Sequence, residues 1–151
     1  MPDWGYTASK MFNNANKFIE AYHTVLQPLC RETGLPPMAV DILMFLANNP
    51  ENDTAMDICR CRGLKPGIVS VYIERLAAEG LLLRQSVPGD RRKTRLVCTE
   101  KAVPLLQKGR ALQRAFAGRL LDGLSETEIE TFRRCLMMLG ENIDEIRKNG
   151  V

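Results

Sequence analysis

At 151 residues, with 45% hydrophobic and 26% charged positions, the chain is sized for a single domain and composed like an ordinary soluble globular protein rather than a disordered one. No apolar run approaches the roughly 18 residues that a membrane span needs, and the opening MPDWGYTASK lacks the basic-then-apolar order of a secretion signal. A cytoplasmic protein with no membrane partner is therefore expected.

Five cysteines, Cys30, Cys59, Cys61, Cys98 and Cys135, are an odd number without an extracellular context, so reduced thiols are expected rather than a disulfide framework. His23 is the only histidine, and the carboxylates follow no metal-ligand spacing. No catalytic constellation, metal site or cofactor motif stands out, which argues against an enzyme. The net charge of +3 says little, but its distribution says more. Between Arg60 and Arg95, nine basic residues face only Glu74, Glu79 and Asp90, leaving the remainder of the chain net acidic. Such a basic segment is the footprint of a polyanion partner.

From Ala8 to Cys30, Met11, Ala15, Ile19, Tyr22, Leu26 and Leu29 recur at helical spacing, with Phe12, Phe18 and Val25 widening the stripe. This predicts a long amphipathic helix ending near Gly34, ahead of Pro36 and Pro37. Met38–Ala47, with Ile42, Leu43, Phe45 and Leu46, predicts a buried second helix, and residues 48–53 form a turn cluster. Thr54 and Asp57 are spaced to cap a short third helix that stops at Gly63. Pro66 then opens a fourth, whose apolar face is Val69, Ile73, Leu76 and Ala77, with Gly80 as its terminator. Two helices joined by a short glycine-containing turn are a helix-turn-helix.

Leu81–Val87 and Thr94–Cys98 read as strands around a Pro88-Gly89-Asp90 turn, with Arg91, Arg92 and Lys93 as a basic hairpin tip. Leu105, Leu112, Phe116 and Leu120 support a fifth helix whose first turns Pro104 should distort or delay. The last helix opens on a Ser125/Glu128 capping box with Leu124 and Ile129 as its staple. Ile129, Phe132, Leu136, Leu139, Ile143 and Ile146 then alternate three and four apart, the seam of a helix that packs lengthwise on a partner. Two copies of the chain could share that seam.

The stretch TAMDICRCRGLKPGIVSVYIERLAAEGLLLRQSVPGDRRKTRLVCTEKA, about a third of the chain, resembles the winged helix-turn-helix of the multiple-antibiotic-resistance regulator (MarR) family. Thr54, Asp57, Ile58, Gly63, Leu64, Val69, Ser70, Ile73, Leu76, Gly80, Leu81, Asp90, Arg92 and Thr99 fall in register with that family's pattern. The resemblance implies a mainly α fold with a two-stranded β-hairpin wing. Residues 37–98 would be the DNA-binding region, and residues 1–35 and 100–151 dimerisation helices of one domain. It also implies a homodimeric transcriptional regulator on a pseudo-palindromic DNA operator, often released by small aromatic acids, drugs or oxidants. By the same likeness Arg92 would reach into the minor groove while Asp90 holds it in place.

The candidate DNA-contacting residues are Lys65, Pro66, Gly67, Ile68, Ser70, Val71 and Arg75 on the recognition helix, and Asp90, Arg91, Arg92 and Lys93 on the wing. Gly67 and Ile68 stand where the family often has Ser or Thr, and Val71 where it often has Arg. Base reading is therefore expected to be modest, with guanine readout left to Arg75 or Lys65. Phe12, Tyr22, His23 and Met44 are candidate lining for a small aromatic or apolar-acid effector, and equally candidate core. Trp4 and Tyr6 belong either to the dimer seam or to an N-terminal arm. Cys59 and Cys61, two apart on one helix, face away from each other, so packing is favoured over a metal or thiol switch. Cys30 does not sit where the peroxide-sensing branch of the family carries its reactive cysteine. A protein-binding winged helix and a thiol-responsive regulator stand as the alternative readings.

Overall fold

The computed structural model describes Gly5 and residues 7–151; Trp4 and Tyr6 lie outside the described residues. The helices among those residues are α1 (Ala8–Thr33), α2 (Pro37–Asn48), α3 (Ala55–Arg62), α4 (Pro66–Ala78), α5 (Val103–Leu120) and α6 (Glu126–Asn149). A single antiparallel hairpin, β1 (Leu82–Val87) and β2 (Asp90–Cys98), separates α4 from α5. The chain is thus mainly α with a two-stranded wing. It divides into two compact units, one running to Phe116 and the other spanning Ala117–Val151.

In the first unit, α2 is the centre of the core. Eight of its consecutive residues, Ala39 to Leu46, are buried, which is why its sequence shows almost no polar face. Leu26 and Leu29 of α1, Ile58 of α3, Val69, Ile73 and Leu76 of α4, Leu82 and Leu96 of the wing, and Leu105 and Leu106 of α5 complete one cluster. Close approach of α5 to α2 depends on Gly109, where an added methyl group would collide with the Met44 sulfur. That packing places the first turns of α5 in the first unit. A 3-10 turn, Glu100–Ala102, leads directly into α5, and Pro104 stands within the helix's first turn. It is the second residue of the helix, where its missing N–H is one that the first turn leaves unpaired in any case.

Local signals set the helix boundaries. Thr54 accepts from the Asp57 amide at 3.2 Å, while the Asp57 carboxylate accepts from the Thr54 amide at 3.1 Å. Gly63 then takes the left-handed conformation, φ 63°, that turns the chain from α3 into α4. The wing is tied to the body through β2, whose Leu96 amide donates to the Asp53 carbonyl at 2.7 Å and whose Arg95 pairs with the Asp53 carboxylate.

In the second unit, α6 opens on a Ser125/Glu128 capping box and buries none of its residues. Phe132, Leu136, Leu139, Ile143 and Ile146 are each between 42% and 52% exposed.

Candidate nucleic-acid interface

Burial of Val69, Ile73 and Leu76 fixes which face of α4 is turned inward. The opposite face, carrying Lys65, Pro66, Gly67, Ile68, Ser70 and Val71, is exposed. Among these the hydrogen-bonding side chains are Lys65 and Ser70. Arg75 lies one turn further on and is also exposed, but its Nη2 donates to the Gly34 carbonyl at the end of α1, 3.0 Å away. That bond ties α4 to the end of α1.

The wing differs from a simple hairpin with a basic tip. Only Pro88 and Gly89 form the turn, and β2 begins at Asp90. Pairing jumps from Ser86 opposite Thr94 to Val87 opposite Asp90, so Arg91, Arg92 and Lys93 are extra residues bulged out of β2. All three are exposed. The Asp90 carboxylate does hold Arg92, but through the Arg92 main-chain amide at 3.0 Å, which leaves the guanidinium free of that acid. Arg92 and Lys93 line an open cleft of about 480 Å³ together with Thr54, Ala55 and Met56 at the start of α3. Two cations thus border a helix N-terminus, whose partial positive charge has the same sign. Thr54's hydrogen bond, with help from Arg60 and Lys93, holds the Asp57 carboxyl below its ordinary range and keeps it charged there.

A second cavity, of about 280 Å³, lies beneath the head among α1, α2 and α3. Tyr22 and His23 line it, with Phe18, Ile19, Met38, Asp41, Cys61 and Arg62. Phe12 does not; it sits higher on α1, beside Ala8, Met11 and Ala15, and is 73% exposed. Nor does Met44, which is fully buried against α5 because it fills the space above Gly109. The polar centre of the cavity is an ion pair that the sequence reading did not single out. Arg62 Nε and Nη2 reach the two Asp41 oxygens at 2.6 and 3.3 Å, with the guanidinium 4.6 Å over the Phe45 ring. Its signal was a single acid inside the otherwise apolar α2, since a buried carboxylate requires a partner. Gln113 of α5 donates to the Tyr22 hydroxyl at 2.7 Å, and burial pushes the Tyr22 phenol up.

All five cysteines are free thiols. Burial raises the pKa of Cys30 and of Cys98, which keeps both protonated and weakly nucleophilic at neutral pH. Among the described residues no three His, Cys, Asp or Glu side chains cluster as a metal site would require. No helix among those residues is long and apolar enough to cross a membrane.

The MarR family model matches residues 33–93, the span from the end of α1 into the wing bulge. The winged helix-turn-helix of this chain is thus similar to that of the MarR family of transcriptional regulators. Solved MarR-family folds extend the likeness beyond the matched segment. CouR from Rhodococcus jostii, bound to p-coumaroyl-CoA, is similar with a TM-score of 0.68 at 23% identity, over 85% of this chain and 87% of that one. A MarR-family regulator from Listeria monocytogenes complexed with a 26mer DNA gives 0.77 at 17% identity, over 93% and 95% of the two chains. MepR of S. aureus in its DNA complex gives 0.71 at 18%, over 93% and 99%. At these identities the likeness is one of fold.

Proposed function

We propose that this protein is a sequence-specific DNA-binding transcriptional regulator that acts as a homodimer on a pseudo-palindromic operator, in the cytoplasm, with an affinity altered by a small effector. The observation that carries this is the MarR-family head with an outward recognition helix and three exposed cations, Arg91, Arg92 and Lys93, bulged from its wing. Helix N-terminal halves of this kind enter the major groove, and basic wing residues suit the adjoining groove and its phosphates. The DNA complexes of the Listeria and S. aureus proteins support the same use of the fold.

The dimer reading rests on the apolar seam of α6, whose Phe132, Leu136, Leu139, Ile143 and Ile146 are about half exposed. The effector reading rests on the cavity among α1, α2 and α3, supported by the ligand-bound CouR fold. A small amphipathic acid suits its aromatic wall and its single arginine. Since Arg62 is the last residue of α3 and the turn to α4 follows it directly, a ligand that competes for Arg62 acts on the mounting of the recognition helix. Such a ligand shifts the equilibrium only by its differential affinity for the DNA-competent arrangement.

The test is fluorescence anisotropy against the duplex upstream of the coding region and a scrambled duplex of equal length, at two salt concentrations. Specific binding should weaken steeply with salt, by about −0.9 in log–log slope per phosphate neutralised, and R92A should remove about one such unit. Retention of the full slope in R92A would exclude Arg92 as a DNA contact. The apolar Gly67, Ile68 and Val71 surface favours a second reading, a protein-binding winged helix. Salt-insensitive behaviour with no duplex preferred would select it.

A further inference from the structure

We propose that this chain reads its operator chiefly through thymine 5-methyl groups, received by Ile68 and Val71 on the recognition helix. The inference rests on the DNA-binding reading above and specifies which chemical groups of the duplex the helix selects.

Ile68 and Val71 are three residues apart in α4, outside the buried set of Val69, Ile73 and Leu76, and are 45% and 63% exposed. Gly67, one turn before Val71, extends the same strip. A methyl group built there meets nothing within 4 Å, so packing within the chain does not demand glycine at this position. What glycine does provide is a bare stretch of backbone beside Ile68 that a partner surface can approach closely. The strip Gly67–Ile68–Val71 therefore presents no hydrogen-bonding side chain at all.

An apolar strip of this kind has one complement in duplex DNA. Donors and acceptors fill the major-groove edge of every base pair, and the thymine methyl is the sole apolar group displayed there. The surroundings favour DNA over an apolar protein surface as the occupant. Lys65 stands at the start of the same helix, and Arg91, Arg92 and Lys93 are exposed on the wing. These cations would be desolvated without compensation against an uncharged partner and are neutralised by phosphates.

The alternative reader, a bidentate arginine on guanine, is disfavoured by the geometry. Arg75 is the only arginine in α4, and its guanidinium is engaged with the Gly34 carbonyl at 3.0 Å. Lys65 contributes a point charge without the planar fork that distinguishes guanine. Ser70 hydrogen-bonds to any base or phosphate it meets and discriminates little.

The test begins by selecting preferred duplexes from a random-sequence pool with the full chain, followed by anisotropy on the selected duplex with each thymine replaced in turn by uracil. Uracil keeps the pairing and the O4 acceptor and removes only the methyl. At one or more thymines of each half-site, affinity should fall about three- to fivefold per methyl lost, the value of one buried methylene-sized group. Substituting 5-methylcytosine for cytosine at a position where cytosine replaces such a thymine should recover part of the loss. I68A and V71A, both at exposed positions and so free of core disruption, should bind the thymine and uracil duplexes alike at the thymine each one meets. A selected duplex that binds equally with uracil throughout, and instead loses affinity on replacing guanine by 7-deazaguanine, overturns the proposal while leaving DNA binding intact. Failure to select any duplex, with no salt-sensitive binding, overturns the DNA-binding reading itself and this proposal with it.

Discussion

Asp41 is the residue that most changes how this chain is understood. It sits among Val40, Ile42, Leu43 and Met44, all fully buried, and is itself 4% exposed. Its two oxygens are satisfied by Arg62, whose side chain is 29% exposed and so supplies the route by which solvent or a ligand reaches the pair. Removing the cation leaves a buried carboxylate without a partner, a loss of about 3 kcal/mol or more for well-buried pairs. R62M is expected to lower stability toward the smaller end of that range, because Arg62 is partly wetted, and D41N/R62M should recover much of it. Urea unfolding of the three variants checks this; an R62M midpoint equal to the parent's would show that the pair is not coupled. Among the sequence-named cavity residues, Tyr22 and His23 were legible because an aromatic stripe on α1 had to face something. Asp41 and Arg62 were not paired by the sequence because they are 21 positions apart, and no local rule connects the middle of α2 to the end of α3.

Capping and helix contact govern the next level. The reciprocal Thr54–Asp57 bonds hold the start of α3, and the lowered Asp57 pKa means the folded state favours the carboxylate. A group depressed in this way stabilises the fold fully above its unfolded pKa, near 4, and that contribution disappears as pH falls through the lower folded value. T54A should cost about 1 kcal/mol at pH 7 and flatten the acid limb of a pH–stability curve below about pH 4. An unchanged acid limb would remove Asp57 from the account. Between α2 and α5, alanine at Gly109 gains up to about 1 kcal/mol of helix propensity but must displace the Met44 thioether, an overpacking cost of about 1–3 kcal/mol. G109A is therefore expected to melt earlier than the parent by thermal denaturation, and a higher melting temperature would show that Met44 repacks freely. Element boundaries were close to their sequence expectations because caps, prolines and glycines act locally. The wing bulge was missed because register depends on what lies across the ladder, and Arg91–Lys93 carry no residue type that announces a bulge.

For the molecule as a whole, the exposed apolar seam of α6 is the feature with the largest consequence. Five large side chains, Phe132, Leu136, Leu139, Ile143 and Ile146, remain about half exposed on a helix whose own cap is intact. A lengthwise partner would cover them, and a dimer with twofold symmetry would set two recognition helices against half-sites about 34–36 Å apart. Placing a charge in the seam, L136E, is expected to give a monomer by sedimentation equilibrium with its helix content retained. The monomer should lose about 100-fold or more in operator affinity, since the second half-site no longer binds intramolecularly. A dimeric L136E protein with unchanged affinity would place the interface elsewhere.

The sequence by itself determined the helix order, the caps of α3 and α6, the inward face of α4 and the basic character of the wing. Those features follow from 3.6-residue periodicity and from residue types that act within a few positions of themselves. Only the tertiary structure decided that Met44 is core and Tyr22 cavity, that Arg75 is spent on the end of α1, and that Asp41 and Arg62 meet. Each of these outcomes depends on which side chains distant in the chain are brought within a few ångströms, and periodicity carries no information about that distance.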